Sequence, residues 1–335
     1  MMTAIRLPEM LQRRVSAAVD SLLNGHSSDG VDFSVPRGEE ALLAPNSVSW
    51  RVFKNPIALF VGGTAAVILE LAEPAVRAGV WGHSTFRTNP IARLQRTGLA
   101  AMITVYGARS AAEAMIRRVA RMHDAVQGIT DQGICYSAND PRLLTWVHAT
   151  AAYGFSAAYD RYVEPLQEHD FDRLYREGEP VGRLYGADAP PRSRAEMRAL
   201  IERMSPLLTP SSIVFEFLDI MNATPALPRG LHWMQKILVR AAVELVPTSI
   251  RARLGLGPEY GLRRHDAWLA ELAGAAADRV VLPTSPAALS CLRLGLPATY
   301  LYLPANSPAR DAQAPQVLEY NPQHAYFARQ SDTQL

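Results

Sequence analysis

Along this chain apolar residues return at mixed intervals of three and four rather than alternating, which is the spacing of helices with one buried face. From Leu7 to Leu23 the pattern is helical, and "NGHSSDG" closes it with turn formers. A linker containing Pro36, Gly38 and Pro45 follows. Asn55 then stands as an N-cap ahead of Pro56, which opens an apolar helix to about Ala72. Asn89-Pro90, Ser110, Asp140-Pro141, Ser193, Thr209-Pro210 and Asp266 each place a capping residue or a cap-proline pair before a periodic stretch, so each marks a further helix start. Strand alternation is nearly absent; "RVVLPT" at 279–284 and "ATYLYLP" at 298–304 come nearest to it, and neither has an obvious partner. From about Ala305 the chain is rich in Pro, Ala, Gln and Asn and reads as a tail that wraps the surface or stays disordered. The expected fold is all-α: a single bundle-like domain of many helices over 46–272, preceded by an N-terminal helix and linker over 1–45 and followed by a C-terminal segment and irregular tail over 273–335.

Composition narrows the function classes. Hydrophobic residues make up 48% and charged residues 20% of the 335 positions, enough apolar mass for a large core. A formal net charge of +2 argues against nucleic acid as a partner, because phosphate binding needs clustered, unpaired Lys and Arg. The apolar run "IALFVGGTAAVILELA" at 57–72 is short of the roughly 20 residues of a membrane span. It also contains Gly62 and Gly63 and carries Glu70 near its end, so it is expected to be a buried core helix and not an integral membrane anchor. The first twenty residues mix charges into their apolar positions and lack the centre of a secretory signal, which points to the cytoplasm. Cys135 and Cys291 lie far apart and outside any CxxC or CxxCH spacing, as expected of a reducing compartment and of a chain without covalently attached haem.

Three stretches hold candidate chemistry. In "NPIARLQRTG", Arg93 and Thr97 share a helix face, and Arg96 sits beside Thr97; a solvated helix edge is the ordinary alternative. In "RRVARMHDAVQG", Arg117, Arg118, Arg121 and His123 fall within two turns, with Gly128 as the expected helix stop. Arginine forks suit planar carboxylates, and a neutral imidazole binds metals. A haem offers both targets at once, two propionates and an iron that takes an axial nitrogen. A hydrogen-bonded core or surface histidine remains the alternative for His123. In "YSANDPRLLTWVHATAAYGFSAAY", His148 stands on a helix apolar nearly all round and is a second ligand, an orienting partner or a core residue. His83, in "VWGHSTF", sits in a turn-like piece and is a site-lining candidate. There is no HExxH, GxxxxGK, GxSxG, GxGxxG or ExxH, which removes the zinc-protease, phosphate-loop, α/β-hydrolase, Rossmann and di-iron bundle readings.

The order of motifs "AEPAVRAGVWGHSTFRTNPIARLQRTG", "VYG", "RRVARMHDAVQG", "YSANDPRLLTWVHAT" and "LYREGEPVGRLYGADAPPRS" resembles the MpaB-like oxygenases, over roughly 45–225. That family includes bacterial latex-clearing rubber oxygenases and a fungal enzyme that oxidatively cuts a farnesyl chain. The resemblance implies an all-helical fold around a pocket for non-covalent haem b. His123, in the "RMH" motif, matches the proximal iron ligand. Arg93 and Thr97 match residues of the haem pocket, and His148 matches a recurrent histidine. Where the rubber oxygenases have a distal lysine, this chain has Arg96, and an arginine stays protonated and ligates iron poorly.

The resemblance therefore implies an oxygenase with His123 on the iron and the distal side open to dioxygen. Arg93, Arg118 and Arg121 would bind the cofactor, and Thr97, Arg96 and His148 would serve catalysis. The substrate would be apolar, isoprenoid- or lipid-like, as in secondary metabolism. It would lie between the helices at 57–72 and 141–162 and be cleaved or oxygenated, with an electron donor as a further partner. The alternatives are a helical binding protein for a hydrophobic ligand, without catalysis or without haem, and an enzyme using the same histidines for another metal.

Overall fold

The computed structural model describes residues 31–227 and 229–303. The helix expected over 7–23 and the tail from 305 lie outside the described residues. Within them the fold is all-α, with thirteen α-helices and one short hairpin. The helices are α1 (Val48–Phe53), α2 (Pro56–Ala72), α3 (Pro74–His83), α4 (Pro90–Tyr106), α5 (Arg109–Asp124), α6 (Pro141–Tyr162) and α7 (Glu168–Leu184). There follow α8 (Arg194–Met204), α9 (Ser212–Ala223), α10 (His232–Leu245), α11 (Thr248–Leu254), α12 (Arg264–Ala277) and α13 (Pro286–Arg293). Between α5 and α6, β1 (Gln127–Ile129) pairs antiparallel with β2 (Cys135–Ser137), Gly128 facing Tyr136.

The centre of the fold is the pair α2 and α6. Asn55 caps α2 by accepting from the amides of Ile57 and Ala58 at 3.0 and 3.1 Å, with Pro56 supplying the preset first turn. Asp140 and Pro141 start α6 in the same way, Asp140 accepting from the Arg142 amide at 2.8 Å. The two helices run antiparallel: Gly62 meets Gly154, Trp146 Nε1 donates to the Leu69 carbonyl at 3.2 Å, and Thr150 meets Glu70. A Cβ on Gly62 would lie 2.7 Å from the Gly154 carbonyl oxygen, so the backbones touch there and only glycine fits on either side. α9, α10 and α12 pack around this pair and bury α2 as expected of a core helix. Among the described residues no single helix is long and apolar enough to cross a membrane; α2 and α3 reach that length together but bend by 109° between them.

A second core joins the two ends of the described chain. Phe33, Leu43, Trp50, Tyr106, Cys291 and Tyr300 form it. Arg293, 2% exposed, holds it shut by donating to the carbonyls of Phe33 at 2.9 Å, Glu39 at 2.8 Å and Tyr106 at 2.7 Å. The linker at 31–45 is thus pinned by the C-terminal segment.

Local signals mislead at several places. Ser110 does not cap α5, which starts at Arg109; its amide and hydroxyl bind the Glu39 carboxylate instead, at 2.6 and 3.0 Å. The helix expected after Thr209-Pro210 begins at Ser212 under a Ser211 cap, because Thr209 is engaged by Arg77 at 3.2 Å. Asp266 lies in the first turn of α12, not before it. Gly128 is no helix stop: α5 ends at Asp124, and Gly128 belongs to β1, where a Cβ would meet the Tyr136 hydroxyl at 3.0 Å. In the described part of the strand-like piece at 298–304, residues 298–303, a single 3-10 turn forms over Tyr300–Tyr302, because Tyr300 and Leu301 drop into the second core. The two strand-like pieces do meet, through Tyr302 Oη donating to the Val280 carbonyl at 2.8 Å.

Candidate functional site

The site is built where α4 and α5 pass the α2–α6 pair. α4 buries only Met102, Ile103, Val105 and Tyr106, all in its last two turns, and α5 buries only Ala112 and Ile116. The first half of α4 and the last half of α5 thus hold no fully buried residue. These are the stretches that carry Arg93, Thr97 and His123.

Asn89 caps α4 by accepting from the Ala92 amide at 3.3 Å, and Pro90 sets the first turn. One turn in, Arg93 and Thr97 are joined as their spacing predicts: Arg93 Nη1 donates to Thr97 Oγ1, which donates to the Arg93 carbonyl at 2.9 Å. Burial draws the Arg93 pKa down, and the Glu70 carboxylate on α2 opposes that. Glu70 is the acid that interrupts the apolar run at 57–72. Burial pushes its carboxyl up to about 7, with Arg93 and Thr150 opposing; Thr150 Oγ1 lies 3.4 Å from Glu70 Oε1. A lone acid in an otherwise apolar buried helix was the signal for it.

His123, half-buried near the end of α5, is held below its ordinary pKa by burial first and then by Arg93, with Asn139 and Asp124 opposing. Asn139 Nδ2 donates to the Ala120 carbonyl at 3.2 Å and to Asp124 Oδ1 at 2.7 Å. A hydrogen bond between His123 and the Asn139 side chain opposes the fall in the imidazole pKa. A neutral imidazole fixed through one nitrogen is the arrangement a metal-ligating histidine needs. Arg93 therefore acts electrostatically on Glu70 and on His123, and these three with Thr97, Thr150 and Asn139 form one cluster.

Other expected residues stand apart. Arg96 Nη2 donates to Thr85 Oγ1 at 2.6 Å and is exposed. Arg118 and Arg121 are exposed, and residues of a helix about 100° apart per step put Arg121 on the side of α5 opposite His123. His83 is not in a turn but is the last residue of α3, exposed, with Nε2 3.3 Å from the Tyr136 hydroxyl. His148 is enclosed: burial draws its pKa down to about 4. Its ring lies against α7, where a Cβ on Gly182 would come within 2.9 Å of Cδ2 and 3.0 Å of Nε2, so the glycine makes room for the imidazole. No cluster of three or more His, Cys, Asp or Glu side chains fit to hold a metal occurs among the described residues, so His123 and His148 are the single-ligand candidates.

Helices α2, α4 and α5 thus bring a half-buried histidine, a carboxyl whose pKa burial raises and a partly buried arginine together in an all-α fold. The chain belongs to the family described as ER-bound oxygenase mpaB/B'/rubber oxygenase, catalytic domain, which matches residues 50–278. That span runs from α1 through the end of α12 and contains every residue of the cluster. No curated protein and no solved structure matches the chain.

Proposed function

We propose that this chain is a haem b-dependent oxygenase that cleaves or oxygenates an apolar, isoprenoid- or lipid-like substrate. The observation that carries the reading is His123: a half-buried imidazole held below its ordinary pKa by burial and by Arg93, beside Asn139, on helix halves that hold no fully buried residue. These residues fit a haem, whose iron takes a neutral nitrogen and whose propionate takes a guanidinium. His123 would hold the iron and Arg93 a propionate. When bound, haem supplies the dioxygen-activating chemistry.

The chain's own groups do the rest. Burial first and Arg93 second disfavour the protonated His123 ring, which Asn139 hydrogen-bonds. Glu70, its pKa pushed up to about 7 by burial, holds or releases a proton close to neutral pH, with Oε1 facing the Thr150 hydroxyl. Thr97 steadies Arg93, accepting from its Nη1 and donating to its carbonyl. The closed α2–α6 contact keeps water from the apolar side. The test is the absorption spectrum of the purified protein with acid-solvent extraction of its pigment. A Soret band and one extractable porphyrin per chain are expected; a colourless protein that takes up no added haemin overturns the reading in favour of a haem-free helical protein.

A further inference from the structure

Arg117 and Arg121 fall outside the cluster around His123, but the fold places them together. They are four residues apart on α5, hence on one face, and both border a cleft of about 360 Å³ between α5, the start of α6 and the end of α7. Its floor is apolar, made by Ile116, Ala120, Leu144 and Leu184. Gly186, with φ +100°, turns the chain out of α7 there, and a Cβ on it would press to 3.0 Å from Leu144 Cδ1. The other polar groups in the walls are already engaged. Asn139 donates to Ala120 and Asp124, and the Tyr185 hydroxyl lies 2.9 Å from Thr104 Oγ1. No carboxylate lines the cleft. The nearest acid to Arg117 is Glu113 at a loose 3.8 Å, and Arg121 has no ion pair or hydrogen bond among the described residues.

An apolar floor below two guanidinium groups, Arg117 loosely paired with Glu113 and Arg121 without an ion pair among the described residues, is complementary to a molecule with a hydrocarbon body and an anionic end. We infer that this cleft binds a single-chain anionic amphiphile, an alkyl or isoprenyl chain ending in a carboxylate. The chain lies on Ile116, Ala120, Leu144 and Leu184, and the carboxylate sits between the forks of Arg117 and Arg121. The planar fork matches a carboxylate with paired hydrogen bonds. The volume is at the small end of the roughly 300–1,000 Å³ of ligand pockets, room for one chain rather than two. The inference does not depend on haem at His123.

Titration calorimetry of the full chain with dodecanoate and with dodecanol tests it. Dodecanoate is expected to bind one to one, more weakly as salt rises. Dodecanol is expected to bind at least about tenfold more weakly, as is dodecanoate to Arg121→Gln, since a charged hydrogen-bonded pair is lost in each case. Ala120→Leu fills the floor without touching charge and should weaken both ligands. Thermal midpoints confirm that the variants fold, and porphyrin content is measured alongside. Equal binding of dodecanol and dodecanoate, or unchanged binding by Arg121→Gln and Ala120→Leu, overturns the inference. So does uptake of the chain by phosphatidylglycerol vesicles with no affinity for free dodecanoate, which would make the patch a lipid-surface contact. Loss of porphyrin from Arg121→Gln in step with dodecanoate would overturn it too, by making the cleft the cofactor's own propionate site.

Discussion

Arg93 is the residue on which the candidate site turns, because it acts in the same direction on two groups of opposite charge type. Its guanidinium lowers the pKa of Glu70 by favouring the carboxylate and lowers that of His123 by disfavouring the imidazolium. Arg93→Ala should therefore raise both, and an NMR titration of the His123 ring protons reads the second directly; an unchanged or lower His123 pKa would separate the two residues. Glu70 and His148 make an opposed pair in stability. Glu70 has its folded pKa raised from 4.5 to about 7, so the folded state keeps the proton, and the stability this adds fades as pH rises from 4.5 through 7. His148 has its folded pKa drawn down from 6.5 to about 4, so the unfolded chain takes the proton first, and stability is lost as pH falls from 6.5 to 4. Glu70→Gln should thus gain on the wild type as pH is raised from 5 to 8, by up to about 3 kcal/mol in urea unfolding; a constant difference across that range would deny the buried carboxyl. At this scale the sequence made Arg93, Thr97 and His123 legible through spacing and motif. Glu70 and Asn139 were hidden, because their roles come from helices that meet only in the fold.

At the scale of the element, glycines decide which helices can touch. Gly62→Ala would drive a Cβ to 2.7 Å from the Gly154 carbonyl, part the central pair and cost about 3 kcal/mol or more, read as a drop in the thermal midpoint. Gly63, one residue on, has only the Phe155 ring within reach, at 3.6 Å, and Gly63→Ala should be tolerated far better. A similar loss in both variants would mean that helix propensity and not the close approach sets the effect. Gly182→Ala should push the His148 ring aside, which its NMR signal would report. The cap-proline pairs Asn55-Pro56, Asn89-Pro90 and Asp140-Pro141 gave their helix starts correctly, since cap and first turn are local chemistry. The hairpin is not legible in the sequence because three-residue strands are too short to show alternation; in the fold Tyr136 and Val126 lie against Gly79 on α3.

Across the whole molecule, the all-α architecture followed from periodicity, whereas the second core did not, because it joins residues some 250 apart in sequence through Arg293. Arg293→Ala would leave three carbonyls without their donor and should destabilise the protein strongly while leaving the α2–α6 pair and the His123 cluster in place. Our proposal is that His123 would hold the iron of a haem. Haemin titration of the wild type, His123→Ala and His148→Ala, followed at the Soret band with far-ultraviolet circular dichroism to confirm folding, tests it most directly. The account predicts stoichiometric binding by the wild type and by His148→Ala, and severely weakened binding by a folded His123→Ala. Full haem occupancy with an unchanged spectrum in His123→Ala would contradict it.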